Sequence, residues 1–287
     1  MSSIARHDDG PIADLRALGS QVHPVFMLPP VATSLFGAVL SGDPELAPAA
    51  LHAVAIFAAV YTAHVKDGYV DFYGRGEDDD HPMTAPGCRT ALAGSTTLFA
   101  AALVALFVLS GPLVALLTIP TWFLGFFHAP QLDMNPVTAT MGYPLGIALA
   151  ILGGYAAQMG TLSGTALAFA AVFLVLLTGV KVVDDAQDYE YDLGIEKRTV
   201  AVVLGPAGAR RFADALVAAG LLLVVTLALL GPFPPTAVLA AIAFGAVAAI
   251  ARRGDPTIAT MLLVRGAYVF LAVLLVAVHW EPLGWLW

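Results

Sequence analysis

Charge is what this sequence has least of. Only 12% of its 287 residues are charged, where an ordinary soluble domain carries roughly 25%. Basic side chains are scarcer than acidic ones: thirteen Lys and Arg stand against twenty-one Asp and Glu, for a net charge of -8. Without clustered cations to neutralise a phosphate backbone, nucleic acid is excluded as a partner. Cysteine is almost absent. Cys88 alone can form neither an internal disulfide nor a thiolate metal site, which points to oxygen ligands for any metal. What is present instead is hydrocarbon: 59% of residues are apolar and mean hydropathy is +0.83. That composition excludes a soluble globular enzyme and makes the lipid bilayer the working solvent.

A bilayer core of ~30 Å needs about 20 apolar residues per helix. Nine such runs can be marked: Val22 to Leu40, Leu46 to Ala63, Ala91 to Leu109, Pro112 to Ala129, Val137 to Ala157, Thr165 to Val183, Phe212 to Leu230, Pro235 to Ala251 and Thr257 to His279. They lack period-2 alternation, so in lipid their backbone groups are satisfied only as helices. The expected fold is an all-α integral membrane bundle of nine transmembrane helices over residues 22–287, preceded by a cytoplasmic arm over residues 1–21. The arm is too polar for a signal peptide, so no cleavage is expected. Ile12, Leu15, Leu18 and Val22 recur at helical spacing, and the arm reads either as a short interfacial helix or as a frayed tail.

Basic residues set orientation. Lys66, Arg75 and Arg89 lie between spans two and three. Lys181, Lys197, Arg198, Arg210 and Arg211 surround the six-to-seven connection, and Arg252, Arg253 and Arg265 the eight-to-nine connection. With Arg6 and Arg16, all thirteen fall on one side. The expected topology places the N-terminus in the cytoplasm and the C-terminus outside the cell membrane.

Two carboxylate groups then stand out on that cytoplasmic side. The first emerges from span two and contains Asp67 and Asp71, at i and i+4 on one helix face. The second emerges from span six and contains Asp184, Asp185, Asp188 and Asp192; if the helix continues, Asp184 or Asp185, then Asp188 and Asp192, form one stripe. Like charges at this spacing destabilise a bare helix, so their repetition points to a cation. Mg²⁺ takes oxygen ligands and typically binds through one or two carboxylates plus substrate phosphates. The candidate metal set is therefore Asp67, Asp71, Asp184, Asp185, Asp188 and Asp192, with Asp67, Asp71, Asp188 and Asp192 as the catalytic core. Lys181, Lys197 and Arg198, together with Lys66, are the candidate diphosphate clamp.

These residues resemble the UbiA superfamily of intramembrane prenyltransferases. Asp185-Ala-Gln-Asp188-Tyr-Glu-Tyr-Asp192 follows its D-x-x-D-x-x-x-D pattern, and Lys197-Arg198-Thr199-Val-Ala-Val-Val-Leu204-Gly205 is similar to the K-R-T-x-A-V-x-L-G run that follows. The resemblance implies Mg²⁺-dependent transfer of a polyprenyl group from an allylic diphosphate to an aromatic or lipid acceptor. Dihydroxynaphthoate, the menaquinone precursor, is one such acceptor, and ether-lipid and carotenoid precursors are others. The allylic cation needs an apolar chamber with aromatic faces, for which Tyr69, Trp122, Phe126, Tyr143 and Tyr155 are candidates. His64 either touches substrate or caps its helix, and His128 and Asn135 flank the four-to-five connection. Arg265 is expected to snorkel to the membrane surface. Gly153 and Gly154 read as close helix packing.

Two other classes compete. Asp67-Gly68 opens like the motif of CDP-alcohol phosphotransferases, but the continuation of that motif is absent. A divalent-cation or lipid transporter would place charges near the bilayer midplane, whereas both Asp groups lie at one face.

Overall fold

The computed structural model describes residues 4–195 and 197–280. Among them the structure is helical, apart from one isolated antiparallel bridge between Ala5 and Met83. The helices are α1 (Pro11–Gly19), α2 (Pro24–Val39), α3 (Leu46–Tyr69), α4 (Ala85–Ser110), α5 (Pro112–Phe126), α6 (Pro136–Met159), α7 (Gly164–Gln187), α8 (Tyr189–Gly194), α9 (Val200–Leu230), α10 (Val238–Ala251) and α11 (Pro256–Trp280). Short π turns continue α3 (Val70–Arg75) and follow α5 (His128–Leu132).

The ends follow from local chemistry. Proline opens α1, α2, α5, α6 and α11, where its missing N–H has no intrahelical partner to lose. Thr84, Asn135, Ser163 and Thr199 cap α4, α6, α7 and α9, each side chain accepting a backbone N–H from the first turn. Gly160 and Gly231 stop α6 and α9 in the left-handed conformation.

Every apolar run of the sequence falls on a helix. Among the described residues six helices are each long and apolar enough to cross a membrane, and α1 with α2, bent by 71°, would make a seventh as one broken span. Helix α5 and the segment Pro235–Ala251 are shorter apolar helices. The expectation for the tail beyond Trp280 lies outside the described residues.

Six helices form an inner ring: α2, α3, α5, α6, α7 and α11 all contribute side chains to one central chamber. Helix α4 packs outside α3 and α5, α9 outside α7, and α10 outside α11. The outer helices turn Val104, Val108, Leu222, Leu229 and Ile242 outwards, each more than half exposed, as lipid-facing side chains would be. Glycines allow the inner ring to close. A Cβ on Gly37 would lie 2.1 Å from the Ile151 carbonyl oxygen, and one on Gly154 would lie 2.0 Å from that of Ser34. Helices α2 and α6 therefore touch backbone to backbone at Gly37 and Gly154, while Gly153 makes room for the His52 ring of α3, both forms of the close helix packing expected at Gly153 and Gly154.

From residue 4 onward the arm is ordered, which decides between its two readings against a frayed tail. The Ile4 and Ala5 N–H groups both donate to Asp14 at 2.8 Å. The Arg6 N–H donates to the Pro82 carbonyl and the Thr84 N–H to that of Ile4, both at 2.9 Å. The Arg6 guanidinium lies 4.3 Å above the Phe72 ring. The arm thus straps the loop that leaves α3.

Candidate active site

Helices α3 and α7 position the acidic residues because both run their apolar faces along the chamber and end at its mouth. The chamber encloses about 320 Å³ and is lined almost throughout by apolar side chains. The charged and imidazole side chains of the lining are Asp67 and His64 from α3, His128 from the turn after α5, and Lys181 and Asp184 from α7, gathered at one end. The Lys181 ammonium donates to Asp184 at 2.8 Å and to Asp185 at 2.5 Å. A single cation thus bridges two consecutive carboxylates one turn further along the same helix and offsets their mutual repulsion. Asp185 itself is only 4% exposed and also accepts from the Thr140 hydroxyl at 2.9 Å. His64 stacks on His23, with ring centroids 4.8 Å apart.

The expected Asp stripe is broken. Helix α7 stops at Gln187, and Asp188 takes φ -98 and ψ 16 before the chain turns into α8. Asp188 is consequently exposed, while Asp192 is buried and accepts from Thr199 at 3.3 Å, with Lys197 3.7 Å away. Burial pushes the Asp192 carboxyl up, against the pull of Lys197 and the Thr199 hydrogen bond. Neither Asp188 nor Asp192 lines the chamber. Asp71 sits one turn beyond Asp67, 3.5 Å from Arg75.

The clamp candidates also separate. Lys181 lines the chamber; Lys197 is paired with Asp192, and Arg198 is exposed at the surface. Lys66 points between rings, 5.5 Å from the centroid of Phe126 and 5.9 Å from that of Tyr69. Of the five aromatic candidates, Tyr143 alone lines the chamber. Trp122 follows the lining residue Thr121 and is turned by one residue towards α4, where its indole N–H donates to Thr96 at 3.2 Å and its ring stacks on Phe126. Tyr69 packs beside Tyr73, and Tyr155 is buried within the α6 packing.

Several site residues had no sequence signal. Tyr268 lines the chamber from α11 and donates to the Val25 carbonyl at 2.6 Å. Asp133, 3% exposed, takes a 2.8 Å ion pair from Arg75. Asn135 is a helix cap, as its loop position allowed, whereas His128 reaches the chamber. Arg265 is exposed on α11, in keeping with a snorkelling side chain.

Among the described residues, no three His, Cys, Asp or Glu side chains form a ready-made metal cage. The donor set nevertheless suits a hard cation. Asp67 and Asp184 offer carboxylate oxygens from separate helices at one mouth, and Mg²⁺ needs only one or two such ligands when phosphates and water complete its shell.

The comparisons with known proteins place this architecture. Residues 27–260 match the UbiA prenyltransferase family. The chain therefore belongs to that family, and it is a prenyltransferase by class. Membership sets aside the phosphotransferase and transporter alternatives. The fold is similar to that of the apo UbiA homologue from Aeropyrum pernix K1, with 17% identity, TM-score 0.69, and coverage of 89% of this chain and 98% of that one. It is also similar to a digeranylgeranylglyceryl phosphate synthase structure, with 14% identity, TM-score 0.72, and 93% and 99% coverage. A UbiA homologue from Archaeoglobus fulgidus bound to GPP and Mg²⁺ matches with 16% identity, TM-score 0.67, and the same coverage. No curated protein sequence matches the chain.

Proposed function

We propose that this protein transfers a polyprenyl group from an allylic diphosphate to an aromatic or lipid acceptor, with Mg²⁺ as cofactor. One observation carries the reading: Asp67, Asp184 and Lys181 gather at the mouth of a chamber whose remaining walls are almost all apolar. A charged headgroup and a hydrocarbon tail have separate places in it. The A. fulgidus homologue that binds GPP and Mg²⁺ supports the same pairing of ligands.

Asp67 and Asp184 would hold the ion, with Asp71, Asp185, Asp188 and Asp192 as further carboxylates around the mouth. Bound Mg²⁺ would supply Lewis-acid activation of the diphosphate leaving group. Lys181 would stabilise negative charge on the departing diphosphate, and Asp185 with Thr140 would hold the ammonium in place. Lys197, Arg198 and Lys66 would steer the anionic headgroup inward. The chamber excludes water from the allylic cation, and the Tyr143 ring offers it a π face. The acceptor would enter from the mouth past His64 and His128. Dihydroxynaphthoate is the acceptor to test first, followed by ether-lipid and carotenoid precursors.

In this reading all nine apolar helices cross the bilayer, with the mouth and N-terminus cytoplasmic and the C-terminus outside. Residues 1–21 form a cytoplasmic arm. The test is diphosphate release from labelled prenyl diphosphates by purified protein in lipid, with Mg²⁺ or EDTA, against a panel of these acceptors. Release that depends on both Mg²⁺ and one acceptor is expected. Release that ignores both would overturn the proposal.

A further inference from the structure

The last turns of α3 have two opposite faces. His64, Asp67 and Asp71 recur at spacings of three and four and share one face, while Tyr61, Val65, Gly68 and Phe72 recur on the other. The first face meets the chamber through His64 and Asp67. No residue of the second lines the chamber, and the arm and the loop after α3 cover it instead.

That cover touches the helix at every turn. The Tyr61 hydroxyl donates to the Leu18 carbonyl at 2.9 Å. Val65 is fully buried and belongs to one small core with Ala5, Ala17 and Met83. The His81 ring lies against Gly68, where a Cβ would come within 3.0 Å of Nε2, and its centroid is 5.9 Å from that of Phe72. Arg6 sits over Phe72 and pairs with Asp80 at 3.5 Å, and the Tyr73 hydroxyl donates to the Met83 carbonyl at 2.8 Å. The arm is pinned to α4 as well: a Cβ on Gly87 would lie 2.4 Å from the Ile4 carbonyl oxygen. It therefore joins the start of α4 to the end of α3, on the face opposite the carboxylates.

Asp67 and Asp71 have reason to need this support. Like charges at i and i+4 repel, and these two stand where α3 gives way to the Val70–Arg75 π turn. Arg75, shared among three carboxylates, offsets only part of the repulsion. Until a metal arrives, the electrostatics of the segment oppose the geometry that would receive it. We propose that the arm is a positioning element of the active site, in which Arg6, through Phe72 and the 81–84 loop, holds Asp67 and Asp71 in place for the metal before it binds. The inference rests on the Mg²⁺ reading above. Ligands already in place lose little freedom on binding, so the arm raises metal affinity without touching the ion.

The experiment is Mn²⁺ titration of the full-length protein in phosphatidylcholine nanodiscs, read by electron paramagnetic resonance, with the unreactive thiolodiphosphate analogue of geranyl diphosphate present. Mn²⁺ suits the same oxygen ligands as Mg²⁺. Arg6→Gln removes the guanidinium from Phe72, and Gly87→Ala drives the arm off α4. Each should weaken Mn²⁺ binding about tenfold. Each should also speed amide hydrogen exchange over residues 68–77 in the metal-free protein, and saturating Mn²⁺ should slow it again. Arg6→Lys, which keeps a cation over the ring, should retain most of the wild-type affinity. If Gly87→Ala does not fold, Arg6→Gln carries the test alone. A lower unfolding temperature with wild-type Mn²⁺ affinity and wild-type exchange would mean that the arm serves stability only, and would overturn the positioning role while leaving the metal reading intact. No Mn²⁺ binding by folded wild type would overturn the metal reading, and the positioning role with it.

Discussion

The guanidinium of Arg75 lies 2.8 Å from the carboxylate of Asp133, and this contact joins the turn after α3 to the turn after α5. Asp71 and Glu77 stand 3.5 and 3.6 Å from the same guanidinium. One cation thus holds three carboxylates beside the mouth, and its removal would strand the most buried of them, Asp133.

Arg75→Met is therefore expected to lower stability by about 1–3 kcal/mol. The Arg75→Met, Asp133→Leu double variant should recover part of that loss, because no unpaired charge is left behind. Thermal unfolding in detergent across the double-mutant cycle checks this, and simple additivity of the two changes would count against the pair as a unit.

Asp184 and Asp185 are neighbours with different surroundings, so they should fail differently. Asp184 lines the chamber and shares Lys181, so Asp184→Asn should cut turnover by about 100-fold or more with the smaller loss of stability. Asp185 is bonded to Lys181 and Thr140 in the interior, so Asp185→Asn should also destabilise the fold, by about 1–3 kcal/mol. Turnover and melting measured on both variants separate the two roles.

Chelation should stop diphosphate release entirely, and Mg²⁺ should restore it. Lys181→Gln should raise the donor's KM more than the acceptor's, since the lost charge faced the headgroup. Initial rates over a grid of both substrates would expose the opposite outcome.

Gly37→Ala places a Cβ against the Ile151 carbonyl and should cost at least about 1–3 kcal/mol by forcing α2 from α6. Gly94→Ala meets no atom within 4 Å and should be neutral or slightly stabilising, within about 1 kcal/mol. Unfolding midpoints of the two variants give the comparison directly.

Cys88 is fully buried, so single cysteines introduced elsewhere can be labelled over a low background. A cysteine at Gly42 should react with an impermeant reagent only from outside intact cells, and one at Gly76 only after lysis. The reverse pattern would invert the topology.

The apolar runs were legible because membrane helices must be long and continuously hydrophobic, and all nine fall on helices. The carboxylates were legible as types and spacings, but their division of labour was not. Whether Asp188 and Asp192 share a face with Asp184 depends on a helix break at Asp188 that no proline or glycine announces. The lining aromatics were read without knowing each helix's rotation; one residue of rotation about α5 sends Trp122 to α4 and Thr121 to the chamber. Asp133 was invisible because its importance comes from Arg75, distant in sequence and adjacent only in space.

The pairing of residues 4–6 with residues 82–84 carries a consequence for assembly. Chains emerge from the ribosome N-terminus first, so the arm is synthesised well before the backbone it grips. Between the two, α2 and α3 must both be made before Pro82 and Thr84 exist to be gripped. The latch thus ties the first-made residues to later-made ones, and it cannot form until both intervening helices are in place.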